Sequence, residues 1–433
     1  MRAVDIIAKK RDHIELNQSE ISFFLEQYQN KHIPDYQMAA LLMAIYTNGM
    51  TDQELYYFTK SMIQSGREIY FDDINNFVVD KHSSGGVGDK ITLALAPLLA
   101  SLGISTAKLS GRGLGHTGGT IDKFESLEGF KFSLTDKELK EKMKSNYFGI
   151  MGASPDIVPL DKRIYNLRDV TATVGAIPLM VSSILSKKLA LHTDLILLDL
   201  KVGSGAFIST IEEGRVLAEK MKVIAKMFNR KLVCMLTNMD QPLGYTIGNL
   251  NELLEASATL RGEVNNDFSE LLIRIVVQIL MSKDESLTAD KARSLVDEQL
   301  KEQSAMSFFK TFIEQSNGNP QMLDKSYQTV FSSHSRHIKA LESGYISAID
   351  AHTLGDVAMK IGAGRETKEN QIDHHVGLIV LKKIGDYVEK GDVLLRMDYN
   401  TIFNESLIND CLSSYTFSKL PINKPEVVYE IIK

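Results

Sequence analysis

Several features that would direct the interpretation of a sequence are scarce or missing here, and each shortage excludes a class of protein. Only two of the 433 residues are cysteine, Cys234 and Cys411, and they lie far apart without C-x-x-C spacing. A disulfide framework is therefore not expected, and two reduced cysteines predict a cytoplasmic protein. No apolar run approaches the roughly 18 residues that a membrane span needs. The first residues, MRAVDIIAKKRDHIEL, carry too much charge for a signal peptide.

The sequence also has no long basic tract, and its formal net charge is −6, so a nucleic-acid-binding surface is not expected. Internal repeats and low-complexity tracts are missing. The motifs G-x-x-x-x-G-K-[ST], H-E-x-x-H, G-x-S-x-G and G-x-G-x-x-G do not occur in a suitable context. The pair His374–His375 lacks a credible third ligand, so we do not expect a zinc site there.

What is present is an ordinary globular composition, with 44% hydrophobic and 24% charged residues. A chain of 433 residues exceeds a single typical core, so two or three domains are expected. Apolar residues recur at helical spacing in SEISFFLEQYQN and DYQMAALLMAIYTNG. Thr51 and Glu54 have capping-box spacing, and Gly66 ends the run. We therefore predict a small helical domain over residues 1–66.

From about residue 70, short apolar runs alternate with helical segments, which predicts a mainly parallel sheet covered by helices on both faces. The predicted strands are Phe77–Val79, Ile104–Leu109, Phe148–Met151, Leu195–Leu200 and Leu232–Leu236. Sites in such sheets lie at the carboxyl ends of the strands. We predict a larger α/β domain, formed by residues 70–155 and 193–330.

Two other regions depart from this alternation. The segment Asp161–Leu191 contains a helix without a strand partner, IPLMVSSILSKKLAL, so residues 160–192 are expected to complete the helical domain. Towards the C-terminus a strongly alternating stretch turns at Gly385-Asp386 and Gly391-Asp392. We predict a separate α+β module over residues 340–433.

A first polar loop, VVDKHSSGGVGDK, follows a predicted strand and precedes a helix beginning at Thr92. Its three glycines permit backbone N–H groups to converge on an anion, usually a phosphate. Lys81 adds a positive charge and Ser83 a hydroxyl donor. A lone histidine is usually structural, but His82 lies within this loop, beside a lysine. The plain alternative is a strand-to-helix turn with incidental polar residues.

A second stretch, KLSGRGLGHTGGTIDKFES over Lys108–Ser126, again follows a predicted strand directly. It contains five glycines and hydroxyl groups at Ser110, Thr117 and Thr120, and a helix is expected to start near Thr120. Two such loops on neighbouring strand ends could surround one phosphate from both sides. An incidental origin is less expected for both loops together than for either alone.

Two further stretches carry polar or glycine residues in a pattern. In YNLRDVTATVGAIPLMVSSILSKK, Arg168 precedes Ser183 and Lys187, which share one face of a helix. The alternative is that Lys187 and its neighbour are simply the solvated end of that helix. DLKVGSGAFI contains a strand-to-glycine turn at Gly203–Gly205, which favours close backbone approach but is weak alone.

These four stretches resemble, in order and spacing, the thymidine and pyrimidine-nucleoside phosphorylases, and the resemblance extends over essentially the whole chain. The second stretch fits that family's signature, S-G-R-G-L-x-x-T-x-G-T-x-D-x-x-E, at every fixed position from Ser110 to Glu125. The resemblance implies a helical domain and an α/β domain flanking a cleft, a C-terminal α+β part and a homodimer. It also implies reversible phosphorolysis of a pyrimidine nucleoside to the free base and α-D-ribose 1-phosphate or its 2-deoxy form. Phosphate would be the co-substrate, without an organic cofactor.

The resemblance also implies a role for individual residues. The implied phosphate site comprises Lys81, His82, Ser83, Thr92, Lys108, Ser110 and Thr120. The implied catalytic and base-binding group comprises His82, Arg168, Ser183 and Lys187. The implied pocket walls are Tyr165, Leu114, Val174, Met180 and Phe207. Thr92 stands where some relatives have serine, and Met180 replaces a more usual isoleucine.

These residue types suit the implied reaction. Arg168 and Lys187 can stabilise the departing base anion, with preorganised donors typically worth roughly 3–4 kcal/mol each. A general-acid role for His82 would contribute on the order of 10²–10⁴-fold. The reactants would meet only when the cleft closes. The predicted hinges lie near Gly66, Pro155–Pro159 and Leu189–Thr193.

Bacterial members of the family imply one more site, for a monovalent cation such as K⁺. Its ligands would be backbone carbonyls of Gly88, Lys90, Leu243 and Thr246 and the carboxylate of Glu255. Lys90 and Thr246 differ from the residues expected in relatives. A lysine ammonium group nearby would compete with the cation.

Three alternatives stay open. The substrate range could be restricted to thymidine and deoxyuridine instead of including uridine, which is the breadth that we favour. An anthranilate-type phosphoribosyltransferase would share the fold, but its first loop resembles G-T-G-G-D, whereas this chain has SSGGVGD. The stretch VGLIVLKKIGDYVEKGDVLL resembles a biotinyl or lipoyl carrier hairpin, but it lacks a tip that presents an acceptor lysine.

Overall fold

The structure is a computed structural model that describes residues 1–113, 118–132, 135–152, 154–367, 370–401 and 404–433. The α-helices are α1 (Ala3–Arg11), α2 (Gln18–Gln29), α3 (Asp35–Asn48), α4 (Asp52–Gln64), α5 (Ile91–Ser101), α6 (Thr120–Glu125), α7 (Asp136–Asn146), α8 (Pro159–Val170), α9 (Ile177–Leu189), α10 (Ile211–Met227), α11 (Leu250–Leu260), α12 (Asp267–Lys283), α13 (Ala289–Glu302), α14 (Ser304–Gln315), α15 (Ala351–Ala358) and α16 (Ser406–Ser413). The strands are β1 (Ile69–Tyr70), β2 (Val78–Ser83), β3 (Ser105–Ser110), β4 (Phe148–Gly152), β5 (Leu191–His192), β6 (Leu195–Val202), β7 (Leu232–Asn238), β8 (Thr246–Gly248), β9 (His334–Lys339), β10 (Gly344–Ile349), β11 (Gly377–Val380), β12 (Tyr387–Val388), β13 (Val393–Tyr399), β14 (Tyr415–Ser418) and β15 (Val428–Ile432).

Two of the four N-terminal helices, α2 and α4, begin with a capping box. Thr51 accepts a hydrogen bond from the backbone N–H of Glu54, and the Glu54 carboxylate accepts one in return from the backbone of Thr51. This capping box at the start of α4 was predicted from the spacing of the two residues and is confirmed. The same Glu54 carboxylate lies 2.7 Å from the buried ammonium group of Lys10, which ties α1 to α4.

The main sheet has the strand order β15-β7-β6-β2-β3-β4. Strands β7, β6, β2, β3 and β4 run parallel to their neighbours, while β15 pairs antiparallel with β7. The five predicted strands are therefore confirmed as β2, β3, β4, β6 and β7. The strand order reverses at β2, because the chain proceeds from β2 to β3 on one side and later returns to β6 on the other. Such a switch point is where open α/β sheets bind ligands.

The two faces of the main sheet belong to different hydrophobic cores. Val78 and Leu198 pack in one core with the N-terminal helices, α8, α9 and α10. Val79 and Leu197 pack in the other, with α5, α11–α14 and C-terminal residues. Both faces are thus covered, which explains why every residue of β6 is buried.

The chain segments that pass between the helical part and the sheet lie side by side. β1 and β5 form a short parallel pair, with Ile69 opposite Leu191. Next to it, the backbone N–H of Arg67 donates a 2.9 Å hydrogen bond to the carbonyl oxygen of Asp156. The three predicted hinges therefore fall in one place, at these paired segments.

The C-terminal region forms two antiparallel sheets, with strand orders β8-β11-β13-β9 and β12-β10-β14. Two pairings cross the predicted boundary at residue 340. β8, which comes before α11, pairs with β11, and β15 leaves the C-terminal region to pair with β7 of the main sheet. The described part of the chain contains no helix with the length and hydrophobicity that crossing a membrane requires.

Candidate functional site

The first polar loop carries a buried group of charges at the carboxyl end of β2. The ammonium group of Lys81 lies 2.9 Å from the carboxylate of Asp199 and 3.9 Å from that of Asp89. Lys201 lies two residues beyond Asp199 on β6, and its ammonium group is 2.8 Å from the same carboxylate. The neighbouring β6 therefore holds Lys81 in position.

Neighbouring opposite charges set the protonation states of Lys81, Asp89 and Asp199. Burial by itself would lower the pKa of Lys81, but Asp199 and Asp89 outweigh it and the pKa is raised. Burial would likewise raise the pKa of each carboxyl group, but the lysines outweigh it and both carboxyl pKa values are lowered. Lys81, Asp89 and Asp199 are consequently all charged at neutral pH.

Lys108 on β3 brings a further nitrogen to the first loop. Its ammonium group donates a 2.8 Å hydrogen bond to the backbone carbonyl oxygen of Lys81. Burial, and then the positive charge of Lys188, lower the pKa of Lys108 to about 7. Lys108 thus loses its charge more readily than an ordinary lysine, and a bound anion would favour its charged form.

His82 lies where the sheet and the helical part meet. Its pKa is held well below its usual range, first by burial and then by the positive charges of Lys188, Lys108, Lys187 and Lys81. Two of these lysines belong to the sheet and two to α9. Positive charge from both parts of the protein thus acts on one imidazole, which is neutral at pH 7 and can donate one N–H.

The consecutive lysines at the end of α9 are held by separate carboxylates. The ammonium group of Lys187 lies 2.7 Å from Asp161 on α8, and that of Lys188 lies 3.0 Å from the buried Asp80 on β2. Lys187 is partly exposed, whereas Lys188 is buried. The lysines are therefore oriented by ion pairs, which a merely solvated helix end would not require.

Arg168 closes the loop between α8 and α9. Its buried guanidinium group donates hydrogen bonds to the carbonyl oxygens of Val174, at 2.6 Å, and Leu179, at 3.1 Å. A longer bond reaches Thr173. These contacts use three of its five N–H donors, and the other two make no hydrogen bond with any residue that the structure describes. Burial lowers the pKa of Arg168, although a guanidinium group keeps its charge in proteins.

The signature stretch is held by a buried carboxylate. Asp122 on α6 accepts a 2.7 Å hydrogen bond from the backbone N–H of Gly113 and a 2.8 Å bond from Arg365 of the C-terminal region. Arg112 pairs with Glu125, one of its two bonds measuring 2.6 Å. The aspartate and glutamate of the signature therefore position its loop, and the C-terminal region contributes a residue to that support.

Five of the remaining predicted site residues are serines or threonines, which carry hydroxyl groups. Ser83 ends β2, Ser110 ends β3, and Thr92 and Thr120 lie in the first turns of α5 and α6. Ser83 and Ser110 therefore lie at the carboxyl edge of the sheet, and each threonine lies near the start of the helix that follows one of these two strands. Ser183 is buried one turn before Lys187 on α9.

The predicted pocket walls are less enclosed. Tyr165 and Phe207 have 43% and 71% of their surface exposed, so they border open space. Met180, on α9, is half-buried, and Val174 contacts Arg168 through its carbonyl oxygen. Leu114 lies outside the described residues.

The predicted cation ligands also meet in space, with an important addition. Glu255 on α11 lies 3.1 Å from the ammonium group of Lys90, which in turn donates a 2.6 Å hydrogen bond to the carbonyl oxygen of Leu243. The backbone carbonyl of Lys90 was predicted as a ligand of this site. The structure places the side-chain ammonium group of Lys90 against two of the other predicted ligands, Glu255 and Leu243.

Sequence reasoning missed the acidic residues that orient the lysines. The set comprises Asp80, Asp89, Asp161 and Asp199. A signal existed for Asp199, because DLK places it two residues before Lys201 on one side of a strand. Asp161 carried no such signal, since its partner lies 26 residues away.

Comparison with known families matches three segments of the chain. Residues 4–66 match the helical bundle domain of the Glycosyl transferase family, and residues 75–306 match the a/b domain of the Glycosyl transferase family. Residues 345–417 match the pyrimidine nucleoside phosphorylase C-terminal domain.

Individual proteins are similar over the full length. A pyrimidine-nucleoside phosphorylase of Staphylococcus epidermidis is 42% identical over 432 residues, which cover 100% of both chains. The same holds for a pyrimidine-nucleoside phosphorylase of Geobacillus stearothermophilus, also 42% identical over 432 residues and 100% of both chains. Among solved structures, an anthranilate phosphoribosyltransferase from Thermus thermophilus shares the fold, with a TM-score of 0.56 at 14% identity, over 74% of this chain and 100% of its own.

Proposed function

This chain belongs to the pyrimidine-nucleoside phosphorylase family, and on that premise we propose that it catalyses the reversible phosphorolysis of pyrimidine nucleosides. Phosphate displaces the base and yields α-D-ribose 1-phosphate or its 2-deoxy form. The observation that carries the proposal is that lysines from both parts of the protein meet at β2, where Lys108 of β3 donates a hydrogen bond to the carbonyl oxygen of Lys81 and Lys188 of α9 pairs with Asp80. A dianionic co-substrate and a departing base anion both need such surroundings.

The phosphate side of the proposed site is the carboxyl edge of β2 and β3. Lys81, held by Asp199, supplies a fixed positive charge, and Lys108 becomes fully charged when the anion binds. Hydroxyl groups and backbone N–H groups complete the site. The hydroxyl residues are Ser83, Thr92, Ser110 and Thr120.

The base side of the proposed site is formed by α8 and α9. Two free N–H donors of Arg168 and the ammonium group of Lys187 would bind the carbonyl oxygens of the pyrimidine and stabilise the negative charge that develops on it. Ser183 would hydrogen-bond the ring. His82, neutral in the free enzyme, would donate an N–H to a base carbonyl, and a full proton transfer would require the anionic substrates to raise its pKa.

The sugar reacts between these two sides. As the glycosidic bond breaks, the sugar gains positive character, which the bound phosphate dianion stabilises while its oxygen forms the new bond. Phosphate and base lie on different parts of the protein, so bringing them together would require the cleft to close at the paired segments near Gly66 and Leu191.

We infer a broad substrate range that includes uridine, thymidine and deoxyuridine. The printed names of the relatives, which refer to pyrimidine nucleosides as a class, support this range. A thymidine-restricted enzyme is the alternative. The distinction depends on how the pocket receives the 2′-hydroxyl group.

We also infer a cytoplasmic homodimer. Both cysteines are free and buried, which fits a reducing compartment.

In α3, Tyr36 and Met43 lie on one face two turns apart and have 75% and 42% of their surface exposed. A second copy covering this face would remove that apolar surface from water. Sedimentation of the wild type and of Met43→Glu tests this, with a dimer expected for the wild type and a weakened one for the variant.

The direct test of the proposed function is release of free base from uridine, thymidine, deoxyuridine and cytidine, with and without phosphate. We expect phosphate-dependent release from uridine as well as thymidine, and loss of it in Lys81→Met. Lys137→Met, on the exposed surface of α7, is the matched control. Release from thymidine and deoxyuridine alone would restrict the range, and no phosphate-dependent release from any of the four would refute the proposed function.

A further inference from the structure

Lys90 is a buried lysine at the end of the first polar loop, immediately before α5. Its ammonium group donates a 2.6 Å hydrogen bond to the carbonyl oxygen of Leu243 and lies 3.1 Å from the Glu255 carboxylate. It also lies 5.2 Å from the centre of the Phe268 ring, within range of a cation–π interaction. A carbonyl oxygen, a carboxylate and an aromatic ring face thus surround an ammonium group, which has three N–H donors and no acceptor.

Glu255, the one carboxylate of the predicted cation site, is fully engaged. One oxygen accepts hydrogen bonds from the backbone N–H of Tyr245, at 2.7 Å, and the side-chain amide of Asn266, at 2.9 Å. The other accepts from both the backbone N–H and the hydroxyl group of Thr246, and it is this oxygen that faces Lys90. The four lone-pair positions of the carboxylate thus accept hydrogen bonds from the protein, and the ammonium group of Lys90 faces its negative charge.

The backbone closes tightly around the ammonium group. Gly88 and Gly244 both have positive φ, of 73° and 72°. A Cβ atom on Gly88 would lie 2.6 Å from the carbonyl oxygen of Leu243, and one on Gly244 would lie 2.8 Å from the Lys90 nitrogen. These approaches are possible for glycine only. The site is built to the size of one small cation, and the ammonium group already fills it.

We propose that the ammonium group of Lys90 is the cation of this site, so that the chain uses its own side chain where the resemblance implies a bound potassium ion. Both are monovalent cations of similar size that bind oxygen atoms. The residues present do not fit an additional metal ion, because the carboxylate and the Leu243 carbonyl already contact Lys90. The inference concerns this cation alone and does not depend on the proposed reaction.

The ammonium group of Lys90 also links the first polar loop to the C-terminal region. It joins the start of α5 to the turn before β8, which pairs with β11 of the C-terminal sheet. A second buried lysine, Lys383 of the C-terminal region, donates a 2.9 Å bond to the carbonyl oxygen of Gly244 in the same turn. Lys90 follows Asp89, whose carboxylate faces Lys81. Lys90 is therefore a positioning residue for the loop, active without any ion from solution.

The first experiment compares thermal unfolding of the wild type in potassium, sodium and tetramethylammonium chloride at equal ionic strength. The Tm is expected to be the same in all three, and elemental analysis of the purified protein is expected to find less than stoichiometric potassium. A Tm that rises saturably with potassium alone, or one potassium ion retained per chain, would overturn the proposal.

The second experiment removes the built-in cation. Lys90→Ser is expected to lower the Tm by roughly 5–10 °C in tetramethylammonium chloride, since it leaves a buried carboxylate without its charge partner. Added potassium is expected to restore much of that loss saturably, because an ion can then bind the vacated position. Lys90→Met, which fills the space without a charge, is the matched control and is expected to lose stability that potassium does not restore.

Two outcomes with the variants would overturn the proposal that the Lys90 ammonium group takes the place of a bound potassium ion. One is a Lys90→Ser protein as stable as the wild type without potassium. The other is a Lys90→Ser protein that loses stability and regains none of it with any monovalent cation. If neither variant folds, the cation independence and potassium content of the wild type still decide the proposal.

Discussion

The ammonium group of Lys81 lies 2.9 Å from the carboxylate of Asp199, and both side chains are almost fully buried. The ammonium group of Lys201 lies 2.8 Å from the same carboxylate oxygen. One buried negative charge thus fixes the lysine to which we assign phosphate. Removing a single partner of such a pair leaves an uncompensated charge in the interior.

We therefore expect Asp199→Asn to lower the free energy of unfolding by about 3–5 kcal/mol. The pKa of Asp199 is lowered in the folded chain, so its contribution is present above the ordinary value of 3.8 and is lost as the pH falls through the lower folded value. Urea unfolding at neutral pH measures the loss. The control is Asp73→Asn, whose exposed partner is Lys144 and whose effect should be much smaller. Equal losses in the two variants would contradict this account.

Lys108 should make phosphate binding depend on pH. Burial, followed by the charge of Lys188, lowers its pKa to about 7, so it loses its charge as the pH rises through neutrality. We expect the KM for phosphate to rise over that interval in the wild type. In Lys108→Arg the charge persists, and the KM should change less. Phosphate itself also ionises in this pH range, and it does so equally for both proteins. If the KM for phosphate changed with pH in the same way in both, Lys108 would not be the cause of the change.

Lys187 and Asp161 should affect the nucleoside side of the reaction alone. Lys187→Met is expected to reduce kcat by about 10²–10³-fold, as for loss of a preorganised donor. Asp161→Asn leaves the lysine present but unheld, and we expect a loss of roughly 10-fold from misplacement. The KM for phosphate should stay unchanged in both, and Lys137→Met should match the wild type. A changed phosphate KM would place Lys187 on the other side of the site.

Gly66 should be intolerant of any side chain. A Cβ atom there would collide with the carbonyl oxygen of Asp156 and the ring of Pro159, at the point where the helical part and the sheet are joined. We expect Gly66→Ala to lower the Tm. In the wild type, the radius of gyration should change when phosphate and a non-cleavable nucleoside analogue bind together, and in Gly66→Ala this change should be different. Small-angle scattering with and without both ligands measures that change. An unaltered wild-type shape on ligand binding would refute cleft closure.

Local sequence patterns predicted much of this fold. The five parallel strands and the capping box of Thr51 and Glu54 follow from short-range spacing of apolar and capping residues. The pairing of β15 with β7 could not be predicted, because the two strands lie almost 200 residues apart in the chain and nothing local specifies the partner of an edge strand.

The candidate site also combines features that local sequence predicts with features that depend on the folded chain. Local pattern is enough to identify the polar, glycine-rich loops at strand ends, because backbone freedom and side-chain chemistry are properties of the residues themselves. Three features required the folded chain: which carboxylate holds each lysine, the lowered pKa of Lys108, and the contact of the Lys90 side chain with Glu255, 165 positions away. Charge pairing and burial depend on distances through space, and those distances exist only once the sheet has brought its strand ends together.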